Sequence, residues 1–271
     1  MSNASGICSN CGKGEEESCN LKACGACFLV KYCSRNCQAA HRPQHKKACK
    51  KRAAELFHDK LFQVPPPRKD CPICMIPLPV DGQQDNFKSC CGNFICNGCW
   101  YVMTSKAQME GKSFEETLCA FCRTREYRGD EELIERLKNH MERGNADAHM
   151  ALGAIYLQGI HGLPQDVTKS NELFLKAGEL GCSGGYYNLA KAYELGRGVD
   201  INKKKARHFY ELAAIMGDLS ARGMLAGYES ESGNNTLAIK HVTISARAGY
   251  GIDGYATQYE EGRRVDGSCY E

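Results

Sequence analysis

The chain has 271 residues, a formal net charge of +3 and 18 cysteines. The nearly balanced charge gives no chain-wide attraction to nucleic acid, and no run of about 18 apolar residues is present to cross a membrane. Most of the cysteines, sixteen of them, lie between Cys8 and Cys122. No apolar signal region follows Met1, so we expect an intracellular protein, in the cytoplasm or nucleus, whose clustered cysteines bind metal rather than form disulfides.

The first cysteine-rich segment, residues 7–49, contains four ordered pairs of metal-binding residues. They are Cys8-x2-Cys11, Cys24-x2-Cys27, Cys33-x3-Cys37 and His45-x3-Cys49. A Cys-x2-Cys turn brings two thiolates to one ion, and a His-x3-Cys pair on a helix puts both side chains on one face. Because tetrahedral zinc takes four ligands, these eight residues predict two structural zinc sites.

This segment resembles a MYND zinc finger. The resemblance rests on Tyr32-Cys33-Ser34-Arg35-Asn36-Cys37-Gln38 and on His45-Lys46-Lys47-Ala48-Cys49. It implies interleaved ligation, in which one ion is held by Cys8, Cys11, Cys33 and Cys37 and the other by Cys24, Cys27, His45 and Cys49. It also implies that the finger binds short, often proline-rich, peptides.

Some residues depart from the MYND pattern. Arg42 stands where the family often has Trp, and the long gap before Cys24 contains Cys19, an alternative ligand. His41 is an alternative to His45, but its spacing favours a surface position. The basic run is a candidate nuclear-import or nucleic-acid patch; it comprises Arg42, Lys46, Lys47, Lys50, Lys51 and Arg52. Since it has little aromatic interleaving, we expect a solvated helix face and no nucleic-acid partner.

Residues 50–69 are predicted to be a basic linker with a stiff spacer at Pro65–Pro67. Residues 70–128 are again rich in cysteine, with Cys71-x2-Cys74, Cys90-Cys91, Cys96-x2-Cys99 and Cys119-x2-Cys122. Eight thiolates suffice for two further tetrahedral sites, which gives four zinc ions in the chain. Both cysteine-rich segments have few large apolar residues. We therefore expect two small zinc-stabilised α+β modules with little regular structure.

The second module looks like an all-cysteine RING finger. The resemblance rests on Cys71-Pro72-Ile73-Cys74, on Cys91-Gly92-Asn93-Phe94-Ile95-Cys96-Asn97-Gly98-Cys99-Trp100 and on Cys119-Ala120-Phe121-Cys122-Arg123. It implies cross-brace ligation, with Cys71, Cys74, Cys96 and Cys99 on one ion and Cys90, Cys91, Cys119 and Cys122 on the other. It also implies recruitment of a ubiquitin-conjugating enzyme, with Ile73 as an apolar contact and Arg123 as the activating cation.

Departures from the RING pattern concern one ligand and one loop. Asn93 stands where the common form has a His ligand, so we expect the adjacent Cys90 and Cys91 both to ligate, with Gly92 allowing a sharp turn. Ala120 replaces the usual Pro of the closing turn, which is the Cys119-x2-Cys122 segment. These departures leave open a structural alternative, a zinc-stabilised scaffold without affinity for a conjugating enzyme.

A helix is predicted over residues 130–144, between the second module and the tail. Asp130 is its expected N-cap and Gly144 its stop. Apolar residues recur between them at helical spacing, namely Leu133, Ile134, Leu137 and Met141. We interpret this segment as a connecting helix.

The tail, residues 145–271, is internally repetitive. Leu152, Tyr156 and Gly159 recur as Leu189, Tyr193 and Gly196, and in part as Tyr255, Tyr259 and Gly262. This period predicts an all-α solenoid of paired helices, about three and a half units long, in which Ala and Gly allow close helix approach. The tail resembles the Sel-one-like subfamily of tetratricopeptide-related repeats, most closely at residues 193–199, which implies a protein-binding surface. A solvated face is expected at Lys203, Lys204, Lys205 and Arg207.

Two interpretations of function follow. In one, the chain is a RING-type ubiquitin-ligase-like protein with no nucleophile of its own, and its MYND-like finger and repeats bind partner proteins or peptides. In the other, it is a non-catalytic zinc-stabilised scaffold. Neither requires a catalytic residue, because each metal set is closed and leaves no position for substrate. The remaining thiols, Cys19, Cys182 and Cys269, are expected to be inert.

Overall fold

A computed structural model of the chain describes residues 6–15, 20–78 and 85–248. Two compact units divide the chain, one comprising residues 1–63 and the other residues 64–271. In the first unit an antiparallel hairpin of two short strands, β1 (Lys22–Ala23) and β2 (Lys31–Tyr32), precedes one long helix, α1 (Arg35–Leu61). Its small core consists largely of cysteines, together with Leu21 and Tyr32.

Helix α1 begins after Ser34, whose hydroxyl accepts a hydrogen bond from the Cys37 N–H at 3.2 Å and caps the helix. The helix continues without a break past Cys49 to Leu61. The linker predicted over residues 50–69 is therefore wrong for its first part. Residues 50–61 contain no Gly or Pro and are rich in Lys, Ala and Leu, all strong helix formers. Within residues 50–69, the irregular structure is confined to the part after the helix, which contains the prolines.

The second unit begins with a small cysteine-rich module. Strands β3 (Asp85–Lys88) and β4 (Asn93–Cys96) form an antiparallel hairpin, and helix α2 (Asn97–Met109) follows directly. A single 3-10 turn covers Phe114–Glu116. Among the described residues, its apolar core cluster buries Cys71, Leu78 and Ile95, packed against the partly buried Phe94, Trp100 and Met103 and further cysteines. So small a core needs additional cross-links.

Seven helices complete the described part of the chain. They are α3 (Gly129–Glu142), α4 (Ala146–Gln158), α5 (Val167–Glu179), α6 (Ser183–Leu195), α7 (Lys203–Ile215), α8 (Leu219–Glu231) and α9 (Asn235–Arg247). The last six pack as three successive pairs, each against the next. The helix order and the pairwise packing confirm the predicted all-α solenoid of paired helices within the described residues. The predicted fourth unit, with Tyr255, Tyr259 and Gly262, lies outside the described residues.

The N-cap of helix α3 lies two residues earlier than predicted. Arg128 holds the N-cap position, and Asp130 lies in the first turn. Glu132 binds the exposed end of this helix, since its Oε2 accepts from the Arg128 N–H at 2.6 Å. Gly144, just beyond the last helical turn, has φ of +76° and acts as the predicted stop.

Helix α3 is part of the solenoid rather than a simple connector. Its three buried side chains join those of α4 in one apolar cluster, formed by Leu133, Ile134, Leu137, Ala148, Leu152, Ile155 and Tyr156. This corrects the prediction of a separate connecting helix over residues 130–144. The helical periodicity was sufficient to locate the helix, but it does not identify the surface on which its apolar face packs.

Small residues allow the solenoid helices to pack closely. A Cβ at Gly185 would lie 2.4 Å from the Phe174 carbonyl oxygen, and one at Gly153 would lie 2.8 Å from the Phe174 ring. Arg207 departs from the predicted solvated face. It is half-buried and pairs with Glu211 at 3.1 Å and with the buried Glu229. A buried carboxylate needs such a partner, which explains why this cation turns inward.

Candidate metal centres

The structure brings the predicted metal-binding residues together in four sets of four. In the first unit the sets are Cys8, Cys11, Cys33 and Cys37, and Cys24, Cys27, His45 and Cys49. The possible ligand atoms of each set all lie within 4.8 Å of one another. Tetrahedral zinc with bonds of about 2.3 Å to sulfur places neighbouring sulfurs about 3.8 Å apart. The Cys11–Cys33 sulfur pair at 3.5 Å and the Cys24–Cys49 pair at 3.8 Å are close to that value.

The second unit holds the other two sets. They are Cys71, Cys74, Cys96 and Cys99, and Cys90, Cys91, Cys119 and Cys122. The Cys74 and Cys96 sulfurs lie 3.8 Å apart, and those of Cys90 and Cys122 lie 3.5 Å apart. Pairs of cysteines from the two sets alternate along the chain, so the module has the interleaved arrangement of a cross-brace.

The adjacent cysteines of the second module belong to the same set. Cys90 and Cys91 lie in a turn that continues through Gly92, where φ is +70°. Asn93 is outside the set, and its amide Nδ2 donates to the Cys91 carbonyl at 3.5 Å. The left-handed conformation at Gly92 therefore lets consecutive side chains point to one centre.

Four of the Cys-x2-Cys turns have the same backbone hydrogen bond. In each, the residue after the second cysteine donates its N–H to the carbonyl of the first, at 2.8–2.9 Å. These residues are Gly12, Phe28, Met75 and Arg123, and all have φ between 58° and 72°. Three of the four are therefore non-glycine residues in the left-handed region, a conformation that the surrounding turn must stabilise.

Several of the thiols are biased toward the thiolate that zinc requires. The backbone N–H of Cys11 lowers the pKa of the Cys8 thiol to about 6. Burial raises the pKa of Cys71, but the backbone N–H groups of Cys74 and Cys96 outweigh it, and that pKa is about 6. The neighbouring Cys90 thiol lowers the pKa of Cys91 to about 5, and the same hydrogen bond raises the pKa of Cys90, so one proton is shared out unequally within the pair.

The donor chemistry of the four sets fits structural zinc. Thiolate and imidazole are the ligands that zinc prefers, and each set supplies four, which closes the coordination shell. The first unit and the front of the second have small cores, so the ions supply the cross-links that these cores lack. The protein therefore binds several structural zinc ions.

Two sets of contacts close to the metal-binding residues were not predicted from the sequence. His41 was expected at the surface, yet its Nδ1 lies 3.0 Å from the Tyr32 hydroxyl and its ring stacks on that of His45 at 5.7 Å. In the second unit, Lys88 and Glu126 form a buried ion pair that joins β3 to the segment after the closing turn. Sequence spacing gives no signal for either contact.

Of the remaining thiols, the described Cys182 does not join the sets. Cys19 and Cys269 lie outside the described residues. Burial raises the pKa of the Cys182 thiol to about 12, so this group stays protonated and a poor nucleophile at neutral pH.

The predicted partner-binding residues lie on two different turns of the second module. Ile73 is on the opening turn, which is the Cys71-x2-Cys74 segment, and 37% of its surface is exposed. Arg123 is exposed on the closing turn and lines a groove of about 360 Å³ beside α2. Met103, Lys106 and Ala120 also line this groove, and Ile73 lies outside it.

Comparison with known families identifies two of the modules. Residues 8–49 match the MYND finger, and residues 146–182 and 183–218 each match the Sel1 repeat. Both resemblances are thereby confirmed, whereas the RING resemblance stays a prediction. The zinc finger, the repeats and the four ligand sets support a zinc-binding protein-interaction scaffold. None of the described helices combines the length and hydropathy that a membrane span requires.

Solved structures similar to this chain include several repeat proteins. A Sel1 repeat protein from Oxalobacter formigenes is 20% identical over 50% of this chain and 64% of its own, with a TM-score of 0.42. This chain thus spans less than two thirds of that protein. A protective antigen from uropathogenic Escherichia coli, c5321, is 23% identical over 57% of this chain and 32% of its own, with a TM-score of 0.43. No curated protein matches the chain.

Proposed function

We propose that this chain is a RING-type ubiquitin-ligase-like adaptor. Residues 70–128 recruit a ubiquitin-conjugating enzyme, while the MYND finger and the repeats bind partner proteins. The observation that carries this proposal is the alternation of the two four-cysteine sets in the second module. Two interleaved ions fix the opening turn, the hairpin, α2 and the closing turn relative to one another, which is what a rigid docking surface requires.

Two exposed side chains support the docking role. Ile73 offers an apolar contact on the opening turn. Arg123 adds a permanent positive charge on the closing turn, next to the groove that Met103 and Ala120 line. A ligase of this kind needs no nucleophile, because it holds the thioester of the conjugating enzyme in a reactive pose. Arg123 is therefore assigned a positioning role.

The alternative is a scaffold without affinity for a conjugating enzyme. Ala120 favours it, since it leaves the closing turn without the proline that RING fingers usually carry. Under either function the protein works in a reducing compartment, the cytoplasm or nucleus, where the free thiols of the described residues stay available to zinc.

An autoubiquitination assay of the zinc-loaded full chain, with a panel of conjugating enzymes, tests the proposal. We expect activity with at least one enzyme and a decrease of about tenfold or more in the variants Ile73→Ala and Arg123→Gly. Glycine is chosen at position 123 because φ is +61° there, so the substitution removes the guanidinium without straining the turn. Phe28→Gly makes the same backbone change in the first unit and is expected to keep activity.

One result would decide against ligase activity and another against the role of Arg123. If no conjugating enzyme in the panel supports the reaction while the zinc content is intact, the scaffold function is favoured. If Arg123→Gly retains full activity while Ile73→Ala loses it, recruitment stands but the positioning role of Arg123 does not.

A further inference from the structure

A groove of about 410 Å³ lies along α1 in the first unit, beside the set that contains Cys24, His45 and Cys49. Its surface is mainly apolar and includes Ala26 and Ala53. Three exposed cations, Arg42, Lys46 and Lys50, line the same groove. They are spaced four residues apart and therefore form one row along the helix.

The charge of this groove is positive even with the metal bound. A zinc ion held by three thiolates and a neutral imidazole carries one net negative charge. The three cations exceed it, and no carboxylate is present among the residues that line the groove. Within the described residues none of the three cations is in an ion pair. The row thus remains available to an anionic partner.

The spacing of the cations fits an extended peptide. Residues four apart on a helix are separated by about 6 Å along its axis. Alternate residues of an extended chain point the same way and are separated by about 6.6 Å. A segment with a carboxylate at every second residue would therefore place one charge near each cation, while its intervening apolar side chains face the floor of the groove.

Single-stranded nucleic acid fits the groove less well. Such ligands gain affinity by stacking bases on exposed aromatic rings. The aromatic residues that line the groove are Tyr32, 3% exposed, and His45, 9% exposed. Neither offers a free ring face.

We propose that this groove binds an acidic, extended segment of a partner protein in which carboxylate and apolar residues alternate. The inference rests on the proposed adaptor function and specifies its ligand class in the first unit. Arg42, Lys46 and Lys50 select for acidic sequence, and the apolar floor takes the side chains between the charges.

The chain contains its own matched control. Lys47 and Lys51 follow the groove lysines by one residue and are also exposed, but they lie outside the groove lining. The double variants Lys46→Gln/Lys50→Gln and Lys47→Gln/Lys51→Gln remove the same charge from the same helix. Comparing them separates binding in the groove from the general attraction of a basic helix.

The experiment measures fluorescence anisotropy of labelled peptides with the zinc-loaded full chain. The probe alternates aspartate with leucine, and a second peptide has asparagine in place of every aspartate. We expect the acidic probe to bind at least about tenfold more tightly than the asparagine peptide. Lys46→Gln/Lys50→Gln should weaken its binding by about fivefold or more, and Lys47→Gln/Lys51→Gln by less than about twofold.

Three results would overturn the proposal. They are equal binding of the two peptides, equal losses from the two lysine pairs, and tighter binding of a single-stranded oligonucleotide than of the acidic probe.

The autoubiquitination assay on the same Lys46→Gln/Lys50→Gln protein, run without added substrate, separates this site from the second module. If this variant loses peptide binding but keeps autoubiquitination activity, the peptide site belongs to the first unit and is independent of the ligase activity. Circular dichroism and zinc content confirm that the variants are folded.

Discussion

The side chain of Asn145 is hydrogen-bonded to the backbone of Gly92, with Nδ2 donating to the carbonyl at 3.2 Å. The same side chain caps α4, since its Oδ1 accepts from the Ala148 N–H at 2.9 Å. Nearby, His140 Nε2 lies 3.0 Å from the Ser89 carbonyl oxygen. The loop that carries Cys90 and Cys91 is therefore attached to the first solenoid helices, and zinc binding is coupled to their stability.

Replacing Asn145 with alanine should destabilise both α4 and this loop. The substitution removes an N-cap, worth about 1 kcal/mol, and a hydrogen bond to the loop of about 1 kcal/mol. Native-state amide exchange should show faster opening in α4 and around residues 88–93. Asn202→Ala is the control, because Asn202 caps α7 through the Lys205 N–H at 3.0 Å and belongs to a different repeat. Equal effects of both variants on the loop would contradict the coupling.

Gly92→Ala should disrupt the metal set formed by Cys90, Cys91, Cys119 and Cys122. A Cβ at this position would lie 2.6 Å from Asn145 Nδ2 and 3.1 Å from His140 Nδ1, and φ is +70°. Gly111→Ala provides the control, since φ is +69° there but no atom lies within 4 Å of the added Cβ. Native mass spectrometry should show about one zinc ion fewer in Gly92→Ala and full loading in Gly111→Ala. Full loading of both variants would show that the close contact is tolerated.

Chelation of zinc should unfold the two cysteine-rich modules and leave most of the solenoid helical. The modules depend on metal because their apolar cores are small, whereas the solenoid buries its own apolar residues. Because Gly92 and Ser89 are bonded to Asn145 and His140, α3 and α4 should lose exchange protection, while α6 to α8 keep theirs. Amide exchange with and without a chelator tests this. Simultaneous loss of protection in all helices would contradict it.

Asp218→Asn should stabilise α8 at neutral pH. Burial raises the pKa of Asp218 from 3.8 to about 6, against the backbone N–H groups of Ala221 and Ser220, which lower it. Between these values the folded state binds more protons than the unfolded state, so stability falls as pH rises through the window. Asparagine keeps the cap without the charge, as Asn145 does before α4. The expected gain is about 1 kcal/mol, reduced for partial solvation.

Amide exchange in α8 measures this effect, with a chelator present so that acid release of zinc does not contribute. The gain from Asp218→Asn should be largest at pH 7 and should shrink toward pH 4. A gain that is independent of pH would assign the effect to something other than ionisation.

Most ligand residues of the candidate metal sites could be predicted from the spacing of the cysteines. Regular pairs such as Cys71 and Cys74 mark ligands because few other structures require two thiols at that distance. The assignment of pairs to ions came from family resemblance, since spacing cannot show which turns meet in space. The contacts of His41 and the pair of Lys88 with Glu126 were missed for the same reason, as both depend on tertiary packing.

The fold was predicted well where periodicity was strong and poorly at boundaries. The repeat of Leu152 at Leu189 located the solenoid, because identical units pack in identical ways. The end of α1 at Leu61 was missed because a change of composition after Cys49 was interpreted as a change of structure. The membership of α3 in the solenoid was missed because its amphipathic pattern fits any apolar partner.

The turns at Cys8, Cys24, Cys71 and Cys119 share one backbone geometry but end in glycine, phenylalanine, methionine and arginine respectively. A turn of this kind, fixed by its metal ion, holds the side chain at its last position in the same orientation relative to the loop, whichever residue is present. Phe28 and Met75, which are 67% and 70% exposed, are displayed in the same way as Arg123. Exchange of these three residues among their turns would thus change surface chemistry, from aromatic to thioether to cationic, without altering the loops that hold them.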